Sequence, residues 1–260
     1  MLLGLYISAS GLEANERRMA VGANNLANVN TVGFKVDEVV VEPLPRTGPQ
    51  GSGTASMRSP GTAVLGLGGG GVRATRSITE FIAGPLDATG QPFDIALDTG
   101  VVADGFLGVQ GADGKGRWTR DGRLTLDSAG RLVTQVGRLP VLDEQGQPIV
   151  IDPAGGAIAI DEAGRLHQGG SDLARLRLAS FDRPDLLTKQ GAGQFAAGGT
   201  SQPGSFRGRV LQGHLEGSAA DATGLLVTMI QVQRAYEANA NMIRCQDQTL
   251  GLAVNTIAKI

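Results

Sequence analysis

The first part of the chain carries apolar residues at a helical spacing. Its large apolar side chains recur every seven residues, at Leu5, Leu12, Met19 and Leu26. A seven-residue apolar repeat is typical of a helix that packs on another helix. Ala9 and Ala23 fill the alternate seam positions, and Glu16 interrupts that second row. The pattern predicts a helix over residues 4–29.

A group of asparagines marks the end of this predicted helix. Asn24, Asn25 and Asn28 lie in its last turns, before Gly33, Phe34 and Lys35. Asparagine competes with helical hydrogen bonding and tolerates the left-handed conformation. We therefore expect the helix to end near Asn28, with the three asparagines shaping the turn by which the chain leaves it.

The C-terminal part repeats the helical pattern over a longer stretch. Its seam residues follow alternating steps of four and three, at Leu225, Met229, Val232, Tyr236, Asn239, Ile243, Gln246, Leu250, Ala253 and Ile257. The residues from Ser218 to Asp221 fit a capping box, so a helix is predicted over residues 219–258. At 1.5 Å per residue this helix is about 60 Å long.

A small domain is too short to bury an apolar stripe of this length, so other helices must pack against part of it. We expect the N-terminal helix and neighbouring subunits to supply these helices. The alternative is a single helix lying on its own domain. Asn239 and Gln246 reduce the stability of the seam, but polar seam residues can fix register and partner number.

The middle of the chain, residues 72–213, consists of short alternating runs separated by turn signals. Runs at 123–126, 157–160 and 175–178 predict half-buried strands. A turn with aspartate first and glycine fourth recurs at Asp127, Asp143 and Asp161. Aspartate can close such a turn and glycine supplies a positive φ. The fold predicted is α+β, with two long terminal helices packed as a coiled-coil-like pair and a central antiparallel β-rich domain.

The segment at 43–71 has a different composition. It holds four prolines and nine glycines and shows no apolar period, which predicts a long loop. We therefore divide the chain into an N-terminal helix with its exit segment (1–42), this loop, the β-rich domain (72–213) and a C-terminal helical segment (214–260). Long loops are uncommon inside compact domains, so we expect this one to be disordered alone or ordered by a partner.

Composition and charge exclude several classes of function. The chain has forty glycines and ten aromatic residues (seven Phe, two Tyr, one Trp). This composition is typical of a turn-rich β protein, whereas catalytic pockets usually contain more aromatic and titratable groups. A net charge of −2 without long runs of one sign gives no footprint for nucleic acid. No apolar stretch is long enough for membrane insertion. No Lys or Arg precedes the first apolar run, so we expect no cleaved secretory signal.

The candidates for chemistry are weak, and we expect no catalytic, cofactor-binding or metal site. Residues 66–71 match the glycine pattern of a dinucleotide loop, but no strand precedes them and Asp87 lies in a predicted turn. His167 and His214 are 47 residues apart, without metal-ligand spacing. Cys245 lies beside the seam with no base near it in the sequence. A basic patch is conceivable at Arg73, Arg76, Arg117 and Arg120. Asp113 and Asp121 lie among these arginines, so we expect a solvated face there.

Two long motifs resemble the flagellar rod and hook axial proteins of bacteria. Residues 11–14 (GLEA) with 23–35 (ANNLANVNTVGFK) are similar to the N-terminal rod signature of that family, and residues 229–239 (MIQVQRAYEAN) to its C-terminal one. Residues 71–73, 92–97, 118–122 and 130–134 resemble its outer β domain. At 98–107 the usual Gly-Phe-Phe element is stretched and lacks its second aromatic residue. The C-terminal motif is closer to the distal rod members than to the proximal ones, whereas residues 43–71 depart from the distal pattern. A distal position is therefore favoured, with a proximal one as the second choice.

The resemblance implies a structural subunit and not an enzyme. It implies that both terminal helices stack into the tubular core of the periplasmic rod of the basal body, which transmits torque. The partners implied are copies of the chain itself, other rod and hook proteins, the surrounding basal-body rings and the type III export apparatus, which passes subunits unfolded. The packing residues implied for the assembly interface are Leu5, Leu12, Met19, Leu26, Leu225, Met229, Val232, Tyr236, Asn239, Ile243 and Leu250.

Two alternatives remain open at this point. The chain could be a hook or other axial protein of the same family, although hook subunits generally have a longer middle region. It could also be a self-contained periplasmic binding or enzymatic β domain with a helical dimerisation hairpin. That second alternative predicts a concave pocket with convergent titratable groups, and the sequence shows no such cluster.

Overall fold

The computed structural model describes residues 2–44, 70–198 and 201–257. Two long α-helices lie at the ends of this part of the chain, α1 (Leu2–Ala27) and α2 (Ala222–Ile257). The strands between them pair in antiparallel fashion. The α+β architecture with long terminal helices is therefore confirmed. Most of the predicted loop, residues 45–69, and most of the dinucleotide-like motif lie outside the described residues.

The chain forms two compact units. Unit 1 contains Met1–Asn24, Asp37–Ile78 and Thr223–Ile260, and unit 2 contains Asn25–Val36 and Thr79–Ala222. Each unit therefore includes segments from both sides of the β region, and neither is a continuous stretch of sequence.

Unit 1 contains nearly all of both helices and of one two-stranded sheet, formed by β1 (Asp37–Pro43) and β2 (Val72–Thr79). Strand β2 is bonded to α1 at two points. The Val72 N–H donates to Ser10 Oγ at 3.1 Å, and Arg17 Nη1 donates to the Ala74 carbonyl at 3.1 Å. Neither described helix combines the length and apolar character needed to cross a bilayer.

Unit 2 contains short strands in several small sheets. Their bounds are β3 (Leu86–Ala88), β4 (Ile95–Asp98), β5 (Gly105–Gln110), β6 (Gly116–Thr119), β7 (Leu124–Leu126), β8 (Leu132–Thr134), β9 (Ile158–Ile160), β10 (Arg165–Gln168), β11 (Ser171–Arg175), β12 (Leu178–Ser180), β13 (Thr188–Lys189), β14 (Gln194–Ala196), β15 (Arg209–Gln212) and β16 (His214–Glu216). The largest sheet has the order β12-β5-β6-β14-β13, and a second has the order β11-β10-β9. The remaining strands form the pairs β15-β4, β16-β3 and β7-β8.

Two apolar clusters fill the interior of unit 2. The larger is aliphatic and includes Leu107, Val109 and Leu166, each at most 1% exposed. The smaller is aromatic, with Phe106 at its centre and ring centroids 5.3–5.7 Å apart in edge-on or tilted contacts. Half of the ten aromatic residues of the chain therefore lie in this one cluster.

The three aspartate turns are confirmed. Asp127 Oδ1 accepts the Arg131 N–H at 2.9 Å, Asp143 Oδ1 accepts the Gln147 N–H at 2.7 Å, and Asp161 Oδ1 accepts the Arg165 N–H at 2.8 Å. The fourth residue of each turn is a glycine with φ between 75° and 81°. The first and third of these turns join the antiparallel pairs β7-β8 and β9-β10.

Three local predictions are wrong. The run at 175–178 is not one strand, because β11 ends at Arg175 and β12 begins at Leu178 in a different sheet. Ser218 does not cap α2, which begins at Ala222; its hydroxyl accepts the Ala220 N–H in the preceding turn. Asp87 lies in strand β3 and not in a turn, since β3 pairs with β16 across the sequence.

Candidate assembly interface

The predicted seam is the less exposed side of α2. Its members are buried or half-buried from Leu225 to Ala253, while nearly all the residues between them are exposed. Val232 is the most buried, at 9% exposure. The steps of four and three read from the sequence therefore identify one real face of this helix.

This face packs on α1 within the same unit. Gly22 of α1 lies against Met229, Gly11 against Asn239 and Gly4 against Gln246. Residue numbers rise along one helix as they fall along the other, so the two helices are antiparallel. The N-terminal helix is thus the cover that the C-terminal seam was expected to need.

The side of α1 that faces α2 is not the one expected. Ala9 and Ala23, predicted at the alternate seam positions, are exposed. The buried or half-buried positions beside the leucine row are instead small or polar residues, at Gly4, Ser8, Gly11, Asn15 and Gly22. Leu5, Leu12, Met19 and Leu26 are half-buried. Small residues let two helix backbones approach closely, so the contact face is rotated by one position from the predicted seam.

The asparagines at the end of α1 differ in environment. Asn25 is buried at 2% exposure, Asn28 is half-buried and Asn24 is exposed. The Thr31 hydroxyl donates to Asn28 Oδ1 at 3.1 Å, and the Thr31 N–H donates to the Asn28 carbonyl at 3.0 Å. Asn28 therefore closes the turn that follows the helix, as the sequence predicted.

Large apolar side chains remain exposed on the other faces of both helices. They are Leu3, Tyr6 and Ile7 on α1, and Leu226, Val227, Ile230, Met242, Leu252 and Val254 on α2. On the first turns of α2, Leu226 and Val227 lie one helical turn from Ile230, each about half exposed. We name these three residues the outer α2 patch. Sequence reasoning missed it because the regular seam accounted for the apolar period.

A buried ionic cluster lies in unit 2, formed by Lys35, Arg120 and Glu216. Lys35 Nζ donates to Glu216 Oε1 at 2.6 Å, and Arg120 Nε donates to Glu216 Oε2 at 2.7 Å. The side chains of all three residues are at most 2% exposed. We name this cluster the Glu216 clasp.

The clasp joins the segment that follows α1 to the segment that precedes α2. The Gly33 N–H donates to the Glu216 carbonyl at 2.8 Å, and the Ala219 N–H donates to the Phe34 carbonyl at 3.1 Å. Lys189 Nζ donates to the Lys35 carbonyl at 2.7 Å and lies 4.8 Å from the centre of the Phe34 ring. These contacts make the Gly33-Phe34-Lys35 motif a structural part of unit 2.

Arg120 is not on a solvated face, so that prediction is wrong. It is 4% exposed, donates from Nη2 to the Leu97 carbonyl at 2.7 Å, and lies 5.8 Å from the Phe106 ring centre. Its Nη1 has no hydrogen-bond partner within the described part of the chain. Two cations share one carboxylate, because Glu216 is the only acidic group bonded to either in the described clasp.

Burial lowers the pKa of Lys35 to about 8, against the partly compensating attraction of Glu216. In the unfolded chain the pKa of Lys35 is near its ordinary value of 10.5. Lys35 therefore keeps its proton to a higher pH when the chain is unfolded than when it is folded. Between these two values the unfolded state binds more protons, and stability from this group rises with pH.

We therefore predict a pH-dependent stability difference between the natural chain and Lys35→Met. From pH 8 to pH 10 the difference in free energy of unfolding should shift in favour of the natural chain. Urea unfolding of both proteins at each pH measures it, and groups common to both cancel. A difference that stays flat over this range would show that Lys35 does not titrate there.

Comparison with known proteins gives the family. Three family profiles match the chain: "Flagella basal body rod protein" over residues 5–35, "Flagellar hook protein FlgE/F/G D1 domain" over 101–168, and "Flagellar basal body rod FlgEFG protein C-terminal" over 211–256. The flagellar basal-body rod protein FlgF of Caulobacter vibrioides is 33% identical over 257 residues, covering 98% of each chain. The chain belongs to the flagellar basal-body rod protein family.

Other relatives of this rod protein carry both FlgF and FlgG names. FlgG of Buchnera aphidicola subsp. Schizaphis graminum is 35% identical over 261 residues, covering 96% of this chain and 98% of the relative. FlgG of Bacillus subtilis is 30% identical over 268 residues, covering 98% and 99%. This rod protein is therefore of the FlgF/FlgG type, a structural subunit of the flagellar basal body that assembles with other rod components.

Proposed function

We propose that this chain is built into the rod through its terminal helices and transmits torque there without catalysing a reaction. The observation that carries the proposal is the apolar surface that remains on both helices after they have packed on each other. Exposed apolar groups of this size on a soluble subunit mark an interaction surface. A polymer of copies of the same chain supplies a partner for them.

The residues proposed for assembly act in two ways. The α2 seam residues from Leu225 to Ala253, with Leu5, Leu12 and Met19, hold the helix pair together, since they lie buried or half-buried in unit 1. Leu26 is half-buried at the end of α1 and belongs to unit 2. Asn24, Asn25 and Asn28 shape the turn after α1. The outer α2 patch then contacts the next subunit, a role that was not predicted for it from the sequence.

We propose that residues 1–42 and 214–260 form the assembly core and that residues 72–213 form the outer domain. Residues 43–71 link the two. The compact units follow different bounds, because residues 25–36 belong to unit 2 by their contacts and residues 37–78 to unit 1. The further proposed partners are the hook proteins, the rings around the rod and the type III export apparatus. Export through that apparatus places the subunit in the periplasmic part of the basal body.

Deletion of the gene in its own organism tests this function. We expect non-motile cells whose isolated basal bodies lack a complete rod, and recovery of both when the natural gene is returned. Immunoblotting of the isolated basal bodies should detect the chain only in the complemented strain. Complete rods in the deletion strain would contradict the proposal.

A further inference from the structure

Two polar residues of the α2 seam lie against glycines of α1. A methyl group added to Gly11 would lie 2.9 Å from Asn239 Nδ2, 3.2 Å from its Cγ and 3.3 Å from its Oδ1. A methyl group added to Gly4 would lie 2.6 Å from Gln246 Nε2. Each amide side chain therefore occupies space that exists only because the opposite residue has no side chain.

A third pair continues the same alignment at the other end of the helices. A methyl group on Gly22 would lie 3.1 Å from Met229 Cγ. The paired residue numbers add up to 250 for Gly4 with Gln246 and for Gly11 with Asn239, and to 251 for Gly22 with Met229. All three pairs thus belong to one antiparallel register.

We propose that Asn239 and Gln246 are the residues that select this register of the α1–α2 pair. Gly4 and Gly11 are seven residues apart, as are Asn239 and Gln246, so both amides find a glycine at the same time. An apolar heptad seam alone is satisfied equally well after a slip of one heptad. The glycine–amide pairs remove that ambiguity.

The residues around the glycines oppose both slips. Moving α2 by one heptad in one direction places Asn239 against Arg18, the residue seven positions after Gly11. Moving it in the other direction separates Gln246 from Gly4 and places the branched Val232 against Gly11. Neither alternative contains two glycine–amide pairs.

The selection has a cost in stability. Gln246 Oε1 is buried and has no hydrogen-bond partner within the described residues. An unpaired buried oxygen is unfavourable, and a leucine at the same position would avoid it. Polar residues at single seam positions characteristically reduce stability while specifying one alignment.

A cycle of alanine substitutions in the purified full-length chain tests the Gly11–Asn239 pair. Alanine is normally the better helix former, and Gly251→Ala, with nothing within 4 Å of the added methyl, provides the matched control. We expect Gly251→Ala to raise the thermal midpoint of the helical circular dichroism signal and Gly11→Ala to lower it. Adding Asn239→Ala to Gly11→Ala should recover most of the loss. If Gly11→Ala behaves like Gly251→Ala, or if Asn239→Ala gives no relief, the pairing does not constrain the helices.

A cross-linking experiment reads the register itself. Two cysteine pairs are introduced into a Cys245→Ser chain: Ser8→Cys with Ile243→Cys, which is in register with the Gly22–Met229 pair, and Asn15→Cys with Ile243→Cys, which is one heptad out of register. We expect the seam of the otherwise natural chain to allow only the first disulfide. In a chain that also carries Asn239→Leu and Gln246→Leu, both disulfides should form.

If the chain with Asn239→Leu and Gln246→Leu still formed only the in-register disulfide, the proposal would be overturned, because residues other than Asn239 and Gln246 would then select the register. Both experiments use the monomer, so their outcome is independent of whether the chain polymerises into rods.

Discussion

Replacing Glu216 with glutamine is expected to lower the free energy of unfolding of unit 2 by about 3–5 kcal/mol. Glu216 is the carboxylate that Lys35 and Arg120 share, and it also accepts the Gly84 N–H at 3.0 Å. Without its charge, two buried cations lie together with no counter-ion in the clasp. Removing one partner of a buried ion pair costs far more than the intact pair contributes.

Urea unfolding followed by tryptophan fluorescence measures this effect, because the single tryptophan, Trp118, is buried in the aromatic cluster of unit 2. Glu144→Gln is the matched control. Glu144 pairs with Arg175 at 3.0 Å, but both side chains are nearly half exposed. We expect that change to cost less than about 1 kcal/mol. Equal effects of the two substitutions would refute the structural role of the clasp.

Ile243→Asp is expected to separate the helix pair, whereas Ile230→Asp is expected to leave it intact. Ile243 belongs to the half-buried seam, and Ile230 is 53% exposed in the outer α2 patch. Loss of a packed isoleucine costs at least about 2 kcal/mol, and burying an unpaired carboxylate adds to that. The same chemical change thus separates two roles of one helix.

In the purified monomer, Ile243→Asp should reduce helical content while the Trp118 signal of unit 2 stays unchanged, and Ile230→Asp should alter neither. In cells, both variants should fail to restore motility to the deletion strain. Met229→Asp should behave like Ile243→Asp, because it occupies the same seam. A fully motile Ile230→Asp strain would argue that the outer patch is not a subunit contact.

Features set by local sequence were predictable. The α2 seam follows from a spacing that persists over the whole helix, and the aspartate turns follow from Asp and Gly at fixed offsets. Their physical causes lie within a few residues, so one sequence contains the information. The predicted seam of α1 was only partly right. Its leucine row is half-buried, but Ala9 and Ala23 are exposed. A pattern based on apolar residues overlooks glycine, which close helix packing favours.

Features that join distant segments were not predictable. Lys35 and Glu216 are 181 residues apart, and neither carries a local sign that it is buried. Arg120 lies among charged residues in the sequence, which suggested a solvent-exposed position. It follows directly after β6, whose last residues are buried, and its side chain is buried as well. The break between β11 and β12 has a related origin, because β11 pairs with its neighbour β10 whereas β12 pairs with the distant strand β5.

The most direct test of the assembly role is thiol labelling at the outer α2 patch. An Ile230→Cys chain carrying Cys245→Ser has one thiol, because Cys245 is the single natural cysteine. Maleimide labelling is compared between the purified monomer and intact rods isolated from cells that assemble this chain. We predict rapid labelling in the monomer and strong protection in the rod. Equal labelling in both would contradict the claim that neighbouring subunits bury this face of α2.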